Sequence, residues 1–316
     1  FLLIASGDWY SFVIKADFDG NVLSVSKYSN PSEAITINRC TVTKDGSRIC
    51  SGAYYDASSQ KPYGLIFEES ADGNIVWAKA INQQSHITAV LSESENSICA
   101  LSSSNIILSL DRDGLLVSSK QVQANLMFEN IDVIGDHFYA VFYPWNDQGY
   151  TVLKIDQLGN VVKGIKSANA YTYNPEISAV ESSLFVASEI ESELKVVELS
   201  ADLDVLHENT FARLLGSSNG LLSGRISASL NSFSCLIEPY SDTPPFGTSG
   251  VNVFKALRSS WTPKCKIENP IKFLVNSTSI TTQQLDGVSM EDYDLQKSVV
   301  EFSLTNQTIE SSAICQ

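Results

Sequence analysis

The sequence predicts an all-β chain folded as a single β-propeller of seven blades, each a four-stranded antiparallel sheet, with six as the alternative count. Three observations carry this. A strand–turn–strand unit built on Asp-Gly or Gly-Asn recurs along the 316 residues. A second hairpin precedes each copy. One position of that second hairpin holds a small residue every time.

The turn unit reads "KADFDGNVLSVSKY" from Lys15, "FEESADGNIVWAKAI" from Phe67, "LSLDRDGLLVSSKQV" from Leu108 and "LKIDQLGNVVKGIKS" from Leu153. Asp-Gly and Gly-Asn supply the positive φ that a tight turn needs, and alternating apolar residues give each flanking strand a buried face. The turn glycines Gly20, Gly73, Gly114 and Gly159 recur at spacings of 41 to 53 residues. In phase with them, Leu203, Ser259 and Asn306 take the turn position of three more divergent copies.

The preceding hairpin ends in "LIASGDW", "RICSGAY", "SICALSS", "FYAVFYP", "FVASEIE" and "FSCLIEP". These align Ala5, Cys50, Cys99, Ala140, Ala187 and Cys235, as expected where neighbouring sheets press together. Two hairpins per repeat of this length are the mark of a propeller blade. The expected blades span residues 1–33, 34–84, 85–126, 127–173, 174–220, 221–270 and 271–316.

Aligned in this way, the N-terminal "LLIASGD" is a second strand, so the first blade is incomplete, lacking its inner strand. Three resolutions follow: residues 284–296 fold back to supply it, the blade keeps three strands, or another copy of the chain donates one. Strand donation between copies would be heterologous and could propagate as a filament.

The turn pattern, apolar-x-apolar-Asp-x-Asp-Gly-Asn-apolar, resembles the repeats of quinoprotein-like propellers and related bacterial secreted propellers over about the first five repeats. The resemblance implies the fold. Quinoprotein repeats carry a recurrent Trp, and here only Trp77 sits in a comparable place, so no quinone or other cofactor is implied. "SADGNIVW", Ser70 to Trp77, also looks like a sialidase Asp-box but lacks the residue between Asp and Gly that defines one.

A net charge of −15 argues against nucleic acid and anionic membranes as partners. No apolar run reaches the roughly 18 residues of a membrane span. "FLLIASGDWY" is too short and lacks the basic flank of a signal peptide, and reads as a strand. Two acceptor triplets, at Asn276 and Asn306, in a Ser/Thr-rich chain suggest a secreted, extracellular or cell-surface glycoprotein.

The chemistry-bearing residues are sparse. His86, His137 and His207 fall in different blades without ligand-spaced partners, so no metal site is expected. The Asp17/Asp19 and Asp111/Asp113 pairs are explained by their turns. Glu68-Glu69 and Glu291-Asp292 read as solvated. Cys50, Cys99 and Cys235 sit at the small-residue position as buried hydrophobes. Disulfides remain open for Cys40 with Cys50, across a "KDG" loop, and for Cys265 with Cys315. No catalytic motif is present. The longest loops gather on one expected face and carry Trp9, Tyr54, Tyr55, Trp145, Tyr171, Tyr173, Tyr240 and Phe246, a candidate binding face.

The expected function is a non-enzymatic extracellular structural or protein–protein interaction module. Its partners would be other protein chains, copies of itself included, and it could be the repeating unit of a filament or surface assembly. The alternative is a glycan-binding lectin or carbohydrate-active enzyme with its site at the axis mouth.

Overall fold

The computed structural model describes the chain except residues 1, 7–9, 17–21, 44, 57–60, 85–86, 94–96, 103–104, 125, 145–148, 168–171, 191–192, 212–219, 222–225, 230–231, 242–246, 249–251, 258–274, 278–281, 285–289, 293–294 and 300–316. The described residues contain β-strands and no helix. They divide into two units: residues 1–123, 157–159 and 282–310, and residues 124–156, 160–281 and 311–316.

The first unit begins with β1 (Leu2–Ser6), β2 (Tyr10–Ala16) and β3 (Val22–Ser29), an antiparallel meander. Two four-stranded meanders follow: β4 (Ala34–Val42), β5 (Arg48–Tyr55), β6 (Pro62–Glu69), β7 (Ile75–Gln84), and β8 (Ile87–Glu93), β9 (Ile98–Ser102), β10 (Ile106–Leu110), β11 (Leu116–Val122). The second unit repeats the plan with β12 (Leu126–Ile134), β13 (His137–Pro144), β14 (Thr151–Ile155), β15 (Val161–Ser167), then β16 (Thr172–Val180), β17 (Ser183–Ile190), β18 (Glu193–Ser200), β19 (Val205–Phe211). Its third sheet centres on β22 (Ser232–Ser241), which pairs with β20 (Gly220–Leu221) and β21 (Ile226–Ala228) on one side and with β23 (Gly247–Thr248) and β24 (Asn252–Leu257) on the other.

Within each unit the first strand of a sheet packs on the first two strands of the sheet before it, as β8 does on β4 and β5, and β16 on β12 and β13. A middle sheet is therefore buried on both faces. Ile49 and Ile66 join the core facing the third sheet, while their neighbours Cys50, Leu65 and Phe67 join the core facing the first. This is why β6 reads "GLIFEE" after its first two residues and is buried from Gly64 to Glu69. The small-residue position has the crowding expected of it: Cys50, Cys99, Ala140 and Ala187 are all buried.

Two recurrent irregularities shape the sheets. The first-to-second strand pairing slips by one residue at Ile37/Arg39, Ile87/Ala89, Phe128/Asn130 and Tyr173/Glu176. Such bulges leave backbone groups off the ladder. At two of the four a polar side chain from the preceding sheet bonds that backbone: Ser11 Oγ donates to the Ile35 carbonyl at 3.0 Å and accepts from the Ile37 amide, and Asn130 donates to the Ile177 carbonyl at 3.1 Å. The second slip falls just before each repeat turn, at Glu68/Glu69, Ser109/Leu110, Lys154/Ile155 and Glu198/Leu199. There the turn residues Gly73, Gly114, Gly159 and Leu203 take φ of +86°, +74°, +80° and +62°. The turn's first side chain holds it closed: Asp111 Oδ1 accepts the Asp113 and Leu115 amides at 3.0 and 2.8 Å.

The C-terminal segment differs from the seventh blade expected over 271–316. Its described strands do not gather into a sheet of their own. In the second unit β25 (Val275–Ser277) adds to the outer edge of β15. In the first unit β26 (Thr282–Gln284), β27 (Met290–Asp292) and β28 (Gln296–Val299) add in turn to the outer edges of β11, β7 and β3. Strands of three or four residues are too short to build a stable sheet, whereas an open edge offers a ready row of backbone partners. The described strands within residues 284–296 consequently do not supply the first sheet's missing inner strand. That sheet reaches four strands on its outer side, and no described strand pairs with the inner edge of β1.

Candidate functional site

The expected aromatic face is only partly within view. Trp9, Trp145, Tyr171 and Phe246 lie outside the described residues, as do Asn306, Cys265, Cys315 and His86. Tyr173 and Tyr240 are placed by backbone alone, in β16 and β22, and Asn276 likewise in β25, opposite Lys166. Tyr54 and Tyr55 are half-buried. Tyr54 stacks on Tyr63 with ring centroids 5.4 Å apart and packs against the core of the first two sheets, so it closes that core as well as facing outward. His137, half-buried, and His207, exposed, lie on separate strands. No group of three or more metal-ligating side chains occurs among the described residues. Cys40 and Cys50, directly paired across their hairpin, form a disulfide with Cα atoms 4.0 Å apart. Cys99 is a free thiol whose pKa burial pushes far up.

Two features stand out that the sequence reading did not single out. The first is a row of exposed aliphatic residues. Three residues past the turn position, each outer strand presents one: Leu23, Val76 and Val117 in the first unit, Val162 and Leu206 in the second, between 47% and 58% exposed. In β3, β7, β11 and β15 these residues precede the stretch covered by β25–β28, which begins at Ser26, Lys79, Lys120 and Ile165 respectively. The turn-proximal half of each outer edge therefore has no described strand beside it.

The second feature corrects the reading of Glu68-Glu69 as solvated. Both carboxylates are buried. Glu68 accepts a hydrogen bond from the Trp77 indole at 2.8 Å. Glu69 lies under the turn of the second sheet, where Tyr28 Oη and Arg48 Nη2 donate to it and Lys297 Nζ sits 3.2 Å away. Lys297, carried in by β28, also donates to the Gly73 carbonyl. Burial works to raise the Glu69 pKa, but the hydrogen bonds from Tyr28 and Arg48 and the charges of Arg48 and Lys297 outweigh it and hold the carboxyl below its ordinary range. Burial and the hydrogen bond to Glu69 drive the Tyr28 phenol far up.

Above this cluster opens a cleft of about 240 Å³ lined by Lys15, Ser24, Ser26, Arg48, Glu69 and Lys297 among others. Arg48 Nη1 is buried without a hydrogen-bond partner among the described residues. The signal for Glu69 was present in the repeat: four residues before the turn position the other copies have Ala16, Leu110, Ile155, Leu199, Lys255 and Phe302, and only this copy has a carboxylate.

No family model and no curated protein matches the chain. Among solved structures it is similar to BamB from Moraxella catarrhalis, at 12% identity and a TM-score of 0.34 over 74% of this chain and 90% of that one. It is also similar to a DUF4623 family protein from Bacteroides eggerthii, at 10% identity and a TM-score of 0.37 over 91% of this chain and 70% of that one.

Proposed function

We propose that the chain is a secreted, non-enzymatic β-propeller that serves as an extracellular structural or interaction module, docking other protein chains along the outer edges of its sheets. The observation that carries this reading is the row Leu23, Val76, Val117 in one unit and Val162, Leu206 in the other, each on an outer strand whose turn-proximal half has no described neighbour. An open strand edge beside a regularly spaced aliphatic residue suits strand addition, with main-chain hydrogen bonds for affinity and the side chain for register. The chain uses that mode on itself four times, through β25, β26, β27 and β28. The Cys40–Cys50 disulfide suits an oxidising, extracellular setting, and glycans at Asn276 and Asn306 belong to the same reading. Copies of the chain are candidate partners, because the inner edge of β1 is also without a described strand.

Electron microscopy of untreated source material, with sizing of the purified chain at micromolar concentration, tests the proposal. An ordered assembly that the double variant Val76→Lys/Val117→Lys abolishes, with its circular dichroism unchanged, is the expected result. A strict monomer in both preparations, or an assembly indifferent to the two lysines, would overturn it.

A further inference from the structure

The cleft over Glu69 has the chemistry of an anion site. Three cationic side chains converge on it from three different strands: Lys15 from β2, Arg48 from β5 and Lys297 from β28. Glu69 beneath them is already engaged, its oxygens taken by Tyr28, Arg48 and Lys297. Asp72 is the remaining carboxylate of the lining, and it lies exposed at the turn. Three cations thus face two carboxylates, one of which is spent.

The unpartnered donor gives the excess a direction. Arg48 is 89% buried at its side chain, with an exposure of 11%. Its Nη2 is committed to Glu69, while Nη1 has no acceptor among the described residues. A buried charged donor left without an acceptor is costly, so the site favours whatever brings an acceptor oxygen to Nη1. Ser24 lines the same cleft and adds a hydroxyl donor. Donors on several sides of one small volume suit a tetrahedral oxyanion better than a planar carboxylate, which arginine prefers to grip with both nitrogens at once. The volume exceeds what a bare ion fills and leaves room for the carbon next to it, with Val42 and Ala71 as aliphatic lining.

We propose that the cleft between the first two sheets binds a sulfate or phosphate group, free or carried as an ester by a small sugar, with Arg48 Nη1 as its central donor and Lys15 and Lys297 flanking it. This stands apart from the docking of protein chains on the outer edges, which involves other residues. Because Lys297 arrives on β28, occupancy would also tighten that strand onto the turn of the second sheet.

The test is a titration of the purified chain with inorganic sulfate, inorganic phosphate and N-acetylglucosamine 6-sulfate, followed by amide chemical shifts and calorimetry. Saturable binding is expected, with shifts confined to residues around Lys15, Arg48, the 69–73 turn and Lys297, and with affinity falling as chloride rises. Tighter binding of the sugar sulfate than of the inorganic ions assigns the site to an ester; equal binding assigns it to the free ion. Lys15 is exposed, so Lys15→Ala leaves the fold intact and should weaken binding about tenfold. Arg48→Lys keeps a cation for Glu69 while removing Nη1, and should weaken binding by at least as much. No saturation at tens of millimolar, or affinity unchanged in both variants, overturns the proposal.

Discussion

The turn of the second sheet, Ser70 to Asn74, and that of the fifth, Ser200 to Asp204, have the same backbone and different surroundings. In each the fourth residue, of positive φ, donates to the first residue's carbonyl, Gly73 to Ser70 at 2.8 Å and Leu203 to Ser200 at 2.9 Å. In each the opening serine's hydroxyl accepts the last amide at 3.1 Å, from Asn74 in one and Asp204 in the other. They part at the residue just before. The fifth sheet has Leu199, fully buried in an apolar core, and puts its charges outside, where Lys154 meets an Asp202 side chain that is 75% exposed. The second sheet has Glu69 in that place, 2% exposed at its side chain and held by Arg48, Tyr28 and Lys297. The repeat therefore specifies the turn locally, through Ser or Asp and a left-handed residue, and leaves free what the turn rests on. A carboxylate where the neighbouring copies have Ala16, Leu110, Ile155 and Leu199 marks the place where this chain does something its repeats do not require.

The largest effect expected from that difference is at Glu69. Glu69→Ala strands Arg48 and Lys297 as partly buried cations, and removing one partner of a buried pair costs about 3–5 kcal/mol. Urea denaturation followed by tryptophan fluorescence measures it. Glu69→Leu restores the apolar residue of the neighbouring copies, yet it should cost a similar amount until Arg48→Met accompanies it, because well-packed apolar replacements of a whole buried pair are often neutral. If Glu69→Leu alone is harmless, the two turns are equivalent after all. The same carboxyl predicts a pH dependence. Its folded pKa is depressed, so its contribution is complete above the ordinary glutamate value of about 4.5 and is lost as pH falls below that toward the folded pKa. Glu69→Gln should flatten this acid limb of the stability curve.

A middle-sized effect is expected at Gly73. A Cβ there would stand 2.8 Å from Lys297 Nζ, and φ is +86°. Gly73→Ala should cost about 1–2 kcal/mol from the backbone alone and should push the lysine off Glu69. Leu203 shows that the fold accepts a side chain at this φ where the neighbourhood is apolar. Placing the loss at Lys297 requires the Lys297→Ala background. There Gly73→Ala should cost less; an equal cost in both backgrounds would confine the effect to the turn.

Local chemistry is what the sequence made legible. The Asp-Gly spacing located the turns at Gly73, Gly114, Gly159 and Leu203 because positive φ is demanded by the turn itself. The small residues at Cys50, Cys99, Ala140 and Ala187 announced crowding because every sheet packs alike. The fate of the C-terminal segment was not legible, since strand addition to an edge is written in the acceptor's open backbone and leaves a signal of only three or four residues in the donor. The cleft was missed for a related reason. Lys297 and Glu69 are far apart in sequence, and the carboxylate pair looks solvated until the alignment of the copies exposes Glu69 as the one carboxylate in its column. The exposed row Leu23, Val76, Val117, Val162 and Leu206 was readable from the same alignment, at a fixed three residues past each turn.

The smallest effect is expected at Asp202, where the fifth turn meets its neighbour. The hydrogen bond and charge of Lys154 hold the Asp202 carboxyl below its ordinary range, with Lys163 contributing to the same field. A lowered pKa invites the inference of a strong tie, but the group stands in water, where attraction between charges is screened and is offset by the cost of fixing two side chains. Lys163 also donates to the Asp202 backbone carbonyl, a contact that survives a change of side chain. Asp202→Asn should therefore leave the urea midpoint where it is, at both low and high salt. A shift in the midpoint approaching that of Glu69→Ala would mean that exposed and buried turns hold their neighbours equally well, and that burial of Glu69 is no guide to what the second turn does.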